Sequence, residues 1–393
     1  MWRRLRKACL LPLYLATVLF LASWQESQHL LPSLPNDPPL PQKPSGLLLL
    51  GEPQPYVGFN KSLLVAGEVK RIMIWAGSFG QEHLSGCPDW QCQILPRSDA
   101  EEAQADALIF HNGIGGPPRH RNQSQYYVFF TQESPAHASA QEPYPGFYNL
   151  TMGFRRDADL ACPYGYAIQR TPLRTDLEMR EWEGEVLVEG KSKMVAWFSS
   201  NCHAPSGRDA YVAELKKHVD VDVYGACGTL QCPKSSKPTC ITMLNTTYRF
   251  YLAFENSICK DYVTEKYWEK AASLRIIPIV LKRSILEPYA PPHSFIAADD
   301  FESPALLAQE LKRLANDLSA YQAYFAWKRA YDVIFLNGRD HGVAEQPWGF
   351  CRLCALLWQE PRPQKIQLDL QNWWHGPGVC QQAQPLRPIE RKR

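Results

Sequence analysis

The sequence carries almost no net charge: 42 lysines and arginines stand against 40 aspartates and glutamates, leaving +2. Without a basic excess the chain does not neutralise nucleic-acid phosphates in bulk, so that class of binder is excluded. There is no GxGxxG and no P-loop pattern, which argues against a nicotinamide cofactor or ATP held in the usual way. A largely disordered chain is excluded by a hydrophobic content of 45%. The 12 cysteines are too sparse for a disulfide-stapled mini-protein and too many for an ordinary reducing compartment. Long apolar runs are scarce as well, and the one that stands out lies near the N-terminus.

That run extends from Ala8 to Trp24 behind Arg3, Arg4, Arg6 and Lys7, and the first acid is Glu26. Positive charge stays cytoplasmic, so the pattern predicts an N-in signal anchor with the bulk of the chain translocated. A cleaved signal peptide is the alternative, but Leu21-Ala22-Ser23-Trp24 offers no clean small-x-small cleavage site. About 17 residues at ~1.5 Å each span roughly 25 Å, a fit to a thin early-secretory bilayer. From Leu31 to Pro55 the chain is Pro-rich and reads as a semi-extended stem. N-x-S/T sequons at Asn60, Asn122, Asn149 and Asn245 agree with a lumenal body.

The body alternates strand-like and helix-like segments. Val69–Trp75, Ala107–Phe110 and Tyr126–Phe130 read as buried strands, the last ending at Glu133-Ser134-Pro135. An acidic, mixed linker is expected around Asp176–Gly190, and a second series follows. Strands are expected at Met194–Phe198, Val219–Tyr224, Tyr248–Phe254 and Ile276–Leu281, and helices at Asp209–His218, Thr264–Ala272 and, as a pair, over Asp300–Tyr324. Two such blocks predict two doubly wound α/β domains facing each other across a cleft.

The densest polar run, Phe254 to Lys266, sits between a strand and a helix, where open α/β sheets place their ligands. Thr264 caps the helix, and Lys266 in its first turn is unfavourable to the helix dipole unless an anion sits with it. By itself the run also reads as a solvated, capped helix start. Arg208 follows the preceding strand and its turn, at the corresponding mouth. Together Arg208 and Lys266 can clamp a diphosphate, the arginine as a planar fork and the lysine as a point charge. Asp157-Ala158-Asp159 and Asp220-Val221-Asp222 spell D-x-D, a pattern used elsewhere to hold a divalent ion on phosphates, but the two cations already compensate charge and both are read as structural. Cys87, Cys92, Cys351 and Cys354 have spacings open to zinc, although in an oxidising lumen disulfides are favoured. Eleven cysteines lie beyond the anchor, an odd number, so at least one thiol stays free or pairs between chains.

The run FENSICKDYVTEKYW, preceded by YRFYLA and followed by IIPIVL, resembles the signature of the α1,3-fucosyltransferases, glycosyltransferase family 10. Further matching pieces arrive in family order over residues 70–355: Glu133-Ser134-Pro135, NLTMGFRRDAD, KMVAWFSSNC, VDVYGACG, HSFIAADDFESP and CRLC. SSNC and YGACG resemble the core α1,3-fucosyltransferases of invertebrates and plants. The resemblance implies an α/β GT-B fold of two Rossmann-like domains behind one N-terminal transmembrane helix and a stem. Its expected divisions are a cytoplasmic tail (1–7), anchor (8–24), stem (25–65), N-terminal acceptor domain (66–185), C-terminal GDP-fucose domain (186–340) and a tail packing back on the first domain (341–393).

The activity implied is inverting transfer of L-fucose from GDP-β-L-fucose to O3 of GlcNAc, with the Asn-linked innermost GlcNAc of N-glycans leading over LacNAc or a protein acceptor. A catalytically silent lumenal glycan-binding relative is the rival of a different class. The implied catalytic residues are Glu133 as general base and Glu265 as electrostatic stabiliser of an oxocarbenium ion. Taken alone, Glu133 reads as a surface acid before a Ser-Pro turn. Ser200, Asn201, Arg208, Tyr224, Glu255, Asn256, Tyr262 and Lys266 are implied as donor-binding. No metal or other cofactor is required on this reading, a divalent ion being at most stimulatory, and the location implied is the Golgi membrane in type II orientation. Cys87–Cys351 and Cys92–Cys354 are the implied disulfides. Two segments depart from the family pattern, His203–Gly207 and Lys282-Arg283, and the aromatic pair Trp373-Trp374 reads as buried packing against the first domain.

Overall fold

A computed structural model describes Leu50 and residues 58–113, 116–119, 121–188, 191–367 and 369–382. The expected cytoplasmic tail, anchor and most of the stem lie outside these residues. No helix among the described residues is long and apolar enough to cross a membrane.

Runs of apolar residues build the first sheet, whose strands are parallel and buried on both faces. They are β1 (Lys70–Ala76), β2 (Cys92–Pro96), β3 (Ala107–His111), β4 (Tyr126–Thr131), β5 (Leu150–Gly153) and β6 (Leu160–Ala161), in the spatial order β2-β1-β3-β4-β5-β6. All six residues of β4, Tyr-Tyr-Val-Phe-Phe-Thr, are buried, which places this strand mid-sheet. β7 (Gly165–Gln169) then leaves the sheet.

Residues 176–188, expected as a linker, form helix α1 (Asp176–Val188), with Gly184 at φ +54 inside it. The cause is a capping box the linker reading missed. Thr175 N–H donates to Glu178 Oε2 at 2.6 Å, and Glu178 N–H donates back to Thr175 Oγ1 at 3.3 Å.

The second sheet is parallel too. β8 (Lys193–Phe198), helix α2 (Arg208–Leu215), β9 (Val221–Tyr224), helix α3 (Lys237–Thr247), β10 (Tyr248–Leu252), the short β11 (Ile258–Cys259), β12 (Ile277–Val280) and β13 (Ile296–Ala297) follow in the chain, and the sheet order is β13-β12-β10-β8-β9. Helix α3 was not foreseen from the sequence. Pro238 at its first turn was the available start signal. The helix expected over 264–272 is a short turn, Glu265–Tyr267, continuing as a π-helix over Trp268–Ala272. Helices α4 (Pro304–Asn316) and α5 (Leu318–Ala323) are the expected pair, and Ser303 and Asp317 cap them. Leu307, Leu311 and Leu314 of α4 pack with Val212 and Leu215 of α2 over the sheet.

The chain does not stay in its second half. β14 (Tyr331–Phe335), inside the stretch expected as GDP-fucose domain, pairs antiparallel with β7 of the first half. Helix α6 (Gly349–Leu357) lies against the first sheet and carries the disulfides Cys87–Cys351 and Cys92–Cys354. In α7 (Leu370–His375), Leu370 and Trp374 enter the core of the first sheet beside Phe129. The tail then crosses to the other half: β15 (Cys380–Gln381) pairs antiparallel with β11.

Candidate active site

Parallel sheets gather their loops at the carboxyl ends of the strands, and ligands sit there. The loops after β8, β9 and β10 surround a cavity of about 550 Å³ lined by Ser200, Asn201, Arg208, Tyr224, Asn256, Glu265 and Lys266. Seven of the sequence-predicted residues thus share one cavity. Gly225, at φ +97, completes the wall: a Cβ there would lie 2.6 Å from Ser199 O and 2.7 Å from Ser200 Oγ. The disulfide Cys202–Cys227 ties the β8 loop to the β9 loop.

Arg208 is 2% exposed, yet every acceptor it holds is neutral. Its Nη1 donates to Phe254 O at 2.7 Å, and its Nη2 donates to Asn201 O at 2.7 Å and Ser199 Oγ at 3.1 Å. The buried Nε has no hydrogen-bond partner among the described residues. Burial lowers its pKa from the ordinary arginine range, with Glu255 and Asp209 opposing at longer range. A guanidinium held by neutral acceptors in a cavity wall keeps its charge available for an anion.

Lys266 is instead locked into an acidic frame. Its Nζ lies 3.0 Å from Glu255 Oε2 and 3.4 Å from Glu265 Oε1, and it donates to Thr264 Oγ1 at 2.9 Å. Burial pulls its pKa down, but Glu255 and Glu265 outweigh this and the net shift is upward, so the lysine is charged. Glu265 faces the opposite balance. Burial favours its neutral form, while Lys266 and Lys270 hold its pKa below the usual carboxylate range. An ionised Glu265 in the cavity wall is able to stabilise developing positive charge.

Two expected donor contacts are also bonded within the protein. Both Glu255 oxygens are taken by Thr264 and Lys266, so this residue orients the cation and faces a separate small pocket. The Tyr224 hydroxyl is 2.7 Å from that of Tyr248, leaving its ring to line the wall. Sequence reasoning missed Lys237, Glu269 and Lys270, which also line the cavity. The i, i+4 spacing of Lys266 and Lys270 was the available signal for one of them. Lys237 arrives on α3, beside the disulfide Cys232–Cys240, and nothing local in the sequence marks it.

Glu133 follows β4 and is exposed at the carboxyl end of the first sheet. Its loop is fixed against the second half: Ser134 Oγ donates to Ser257 Oγ at 2.8 Å, and Tyr262 Oη donates to Glu133 Oε2 at 3.5 Å. Burial pushes the Tyr262 hydroxyl far above its usual pKa, so it remains a neutral donor. The departing segment 203–207 is docked on the signature, since Ser206 N–H donates to Asn256 O and Ser206 Oγ to Glu255 O. Lys282 lines the small pocket near Glu255 and lies 3.7 Å from Asp299.

Three of the four D-x-D aspartates are paired with cations, and Asp220 is exposed. Asp157 pairs with Arg155 and Lys260, Asp159 with Lys365, and Asp222 with Lys193. Among the sequons, Asn60 and Asn122 are exposed in Asx-type turns, and the Asn245 side-chain oxygen accepts from Arg275 N–H. Asn149 differs: its Nδ2 donates to Lys365 O at 3.0 Å and its Oδ1 accepts from Tyr127 N–H at 2.8 Å. With five disulfides among the described residues, Cys162 is the remaining thiol, buried and pushed up to about 12 by desolvation.

A family model for the fucosyltransferase N-terminal region matches residues 67–165, and one for the C-terminal region of glycosyltransferase family 10 (fucosyltransferase) matches 188–373. The Caenorhabditis elegans protein named alpha-(1,3)-fucosyltransferase fut-1 is 43% identical over 79% of this chain and 70% of its own. Drosophila melanogaster glycoprotein 3-alpha-L-fucosyltransferase A is 35% identical over 83% of this chain, which spans 64% of that protein. A solved α1,3-fucosyltransferase with GDP aligns over 76% of this chain and 94% of its own, at 18% identity and a TM-score of 0.47. The chain belongs to glycosyltransferase family 10, the fucosyltransferases.

Proposed function

We propose that the protein transfers L-fucose from GDP-β-L-fucose, with inversion, to O3 of GlcNAc, the acceptor being the Asn-linked innermost GlcNAc of N-glycans. The observation that carries this reading is the buried Arg208 guanidinium, held among the described residues by neutral acceptors, in one wall with Lys266, beside a loop carrying the exposed carboxylate Glu133. The donor diphosphate lies against Arg208 and Lys266, which stabilise the charge that grows as GDP departs, so no general acid is needed. Glu133 takes the proton from the attacking acceptor hydroxyl. One base suffices here, unlike the carboxylate pair of a glycosidase. Glu265 lies against the fucosyl ring as positive charge develops there.

The glycoprotein acceptor is supported by the name of the Drosophila relative. A human relative at 35% identity is named for 4-galactosyl-N-acetylglucosaminide, which keeps a LacNAc acceptor as the second reading. The enzyme acts in the Golgi lumen, anchored through residues 8–24. The test is mass spectrometry of a defined N-glycopeptide and of a LacNAc glycan after incubation with GDP-fucose. Fucose on the Asn-linked GlcNAc, resistant to an α1,6-specific fucosidase, is the expected product. Product only on LacNAc selects the second reading, and GDP binding without turnover of either acceptor defeats both.

A further inference from the structure

The donor signature is held from outside its own half by the C-terminal tail. Between Ser257 and Tyr262, residues 258–261 touch three separate parts of the chain. Ile258 and Cys259 pair with Gln381 and Cys380, Cys259 is disulfide-bonded to Cys380, and Lys260 N–H donates to Val379 O at 2.8 Å. The loop after β5 supplies a second hold: Arg156 N–H donates to Asp261 Oδ2 at 2.9 Å, and Asp157 pairs with Lys260 at 2.9 Å. Tyr289 supplies the third by donating to Asp261 Oδ1. Asp261 is buried and adopts φ +62, a left-handed conformation disfavoured for an aspartate unless its surroundings fix it.

The other end of the tail reaches the Glu133 loop. Trp374 is fully buried, donates from Nε1 to Ala138 O at 2.8 Å, and lies edge-on to Phe129 of β4. Phe154 fills the space between, 5.7 Å from the Trp374 ring and 4.8 Å from that of Tyr262. Tail residues 370–381 therefore run from the loop carrying Glu133 to the segment carrying Tyr262. By contrast, the bonds that set Arg208 and Lys266 lie wholly within the second half.

We propose that the C-terminal tail, joined to the signature through Cys259–Cys380 and Asp261, is a positioning strap that fixes Glu133 against the donor cavity without contributing to GDP binding. The proposal rests on Glu133 being the base. It is tested on the full chain with two independent changes, the double variant Cys259→Ala/Cys380→Ala and the single variant Asp261→Asn, the second leaving every cysteine in place. GDP affinity by calorimetry is expected to stay within about threefold of the unaltered protein, while kcat falls by about tenfold or more, since a small misplacement of a catalytic group is costly. Amide hydrogen exchange in residues 131–138 is expected to quicken in both variants. Parallel loss of GDP affinity and kcat, or kcat within about twofold in both variants with unchanged exchange, overturns the strap. If the double variant does not fold, Asp261→Asn alone decides. If the unaltered protein turns over no acceptor, the functional reading fails, and exchange in residues 131–138 still decides the strap.

Discussion

Tyr262 donates its hydroxyl to Glu133 across 3.5 Å, a bond between residues 129 positions apart that joins the donor signature to the loop of the opposite sheet. Tyr262 is buried and Glu133 exposed, so the bond orients the carboxylate while leaving it open to an acceptor.

Glu133→Gln keeps the shape and removes the proposed base. Turnover is expected to fall about 100-fold or more while GDP affinity holds, as befits a group acting in proton transfer alone. Steady-state kinetics beside calorimetry checks this, and a rate within a few-fold of the unaltered enzyme would assign the base elsewhere.

Arg208→Lys retains charge but cannot reach Phe254 O, Asn201 O and Ser199 Oγ together. Donor use, as kcat/KM, is expected to fall about tenfold or more, and Lys266→Ala to cost about 100-fold, because on the proposed reading the diphosphate loses a charged partner in a desolvated wall. The Lys266 change also leaves Glu255 without its cation. Calorimetry with GDP alone separates lost binding from lost chemistry.

Acid should weaken the fold through two histidines beside Phe79. Burial lowers His83, helped by Arg339, to about 4, and burial alone lowers His111 to about 4, both from 6.5. The unfolded chain binds these protons at higher pH than the folded one, so their contribution is complete above 6.5 and is lost as pH falls toward 4. Thermal melts across that window are expected to decline, and His111→Phe to flatten the decline. An unchanged slope in that variant would remove His111 from the account.

Glycan occupancy should divide the sequons. A glycan on Asn149 Nδ2 would displace its bond to Lys365 O, and the sequon's Thr151 is buried with its hydroxyl donating to Asp159 at 2.8 Å. Glycopeptide mapping of the full chain purified from a eukaryotic host is expected to find Asn60 and Asn122 occupied and Asn149 bare. An occupied Asn149 in folded, active protein would refute the placement.

Much of this was legible in the chain. β3, β4 and β12 are short apolar runs, and a run that must be buried on both faces announces a parallel strand within a residue or two. The pairing of Arg208 with Lys266 at one mouth followed from each standing just after a strand. The composition of Asp176–Val188 suggests a linker, whereas the Thr175–Glu178 capping box makes it a helix. The pairing of β14 with β7 is invisible in the sequence because β7 lies far back in the chain, and no local window records a pairing over that distance.

By itself the sequence determined the elements whose cause is local: strand runs, caps, the odd cysteine and the motif residues. Tertiary structure alone decided, among the described residues, which thiol was left over, that Arg208 meets no carboxylate at bonding distance, and that Lys237 and Lys270 join the cavity. It decided, too, that the tail reaches Cys259. The reason is physical: hydrogen bonding and periodicity act between near neighbours, whereas burial and charge compensation depend on which distant segments the packed core brings together.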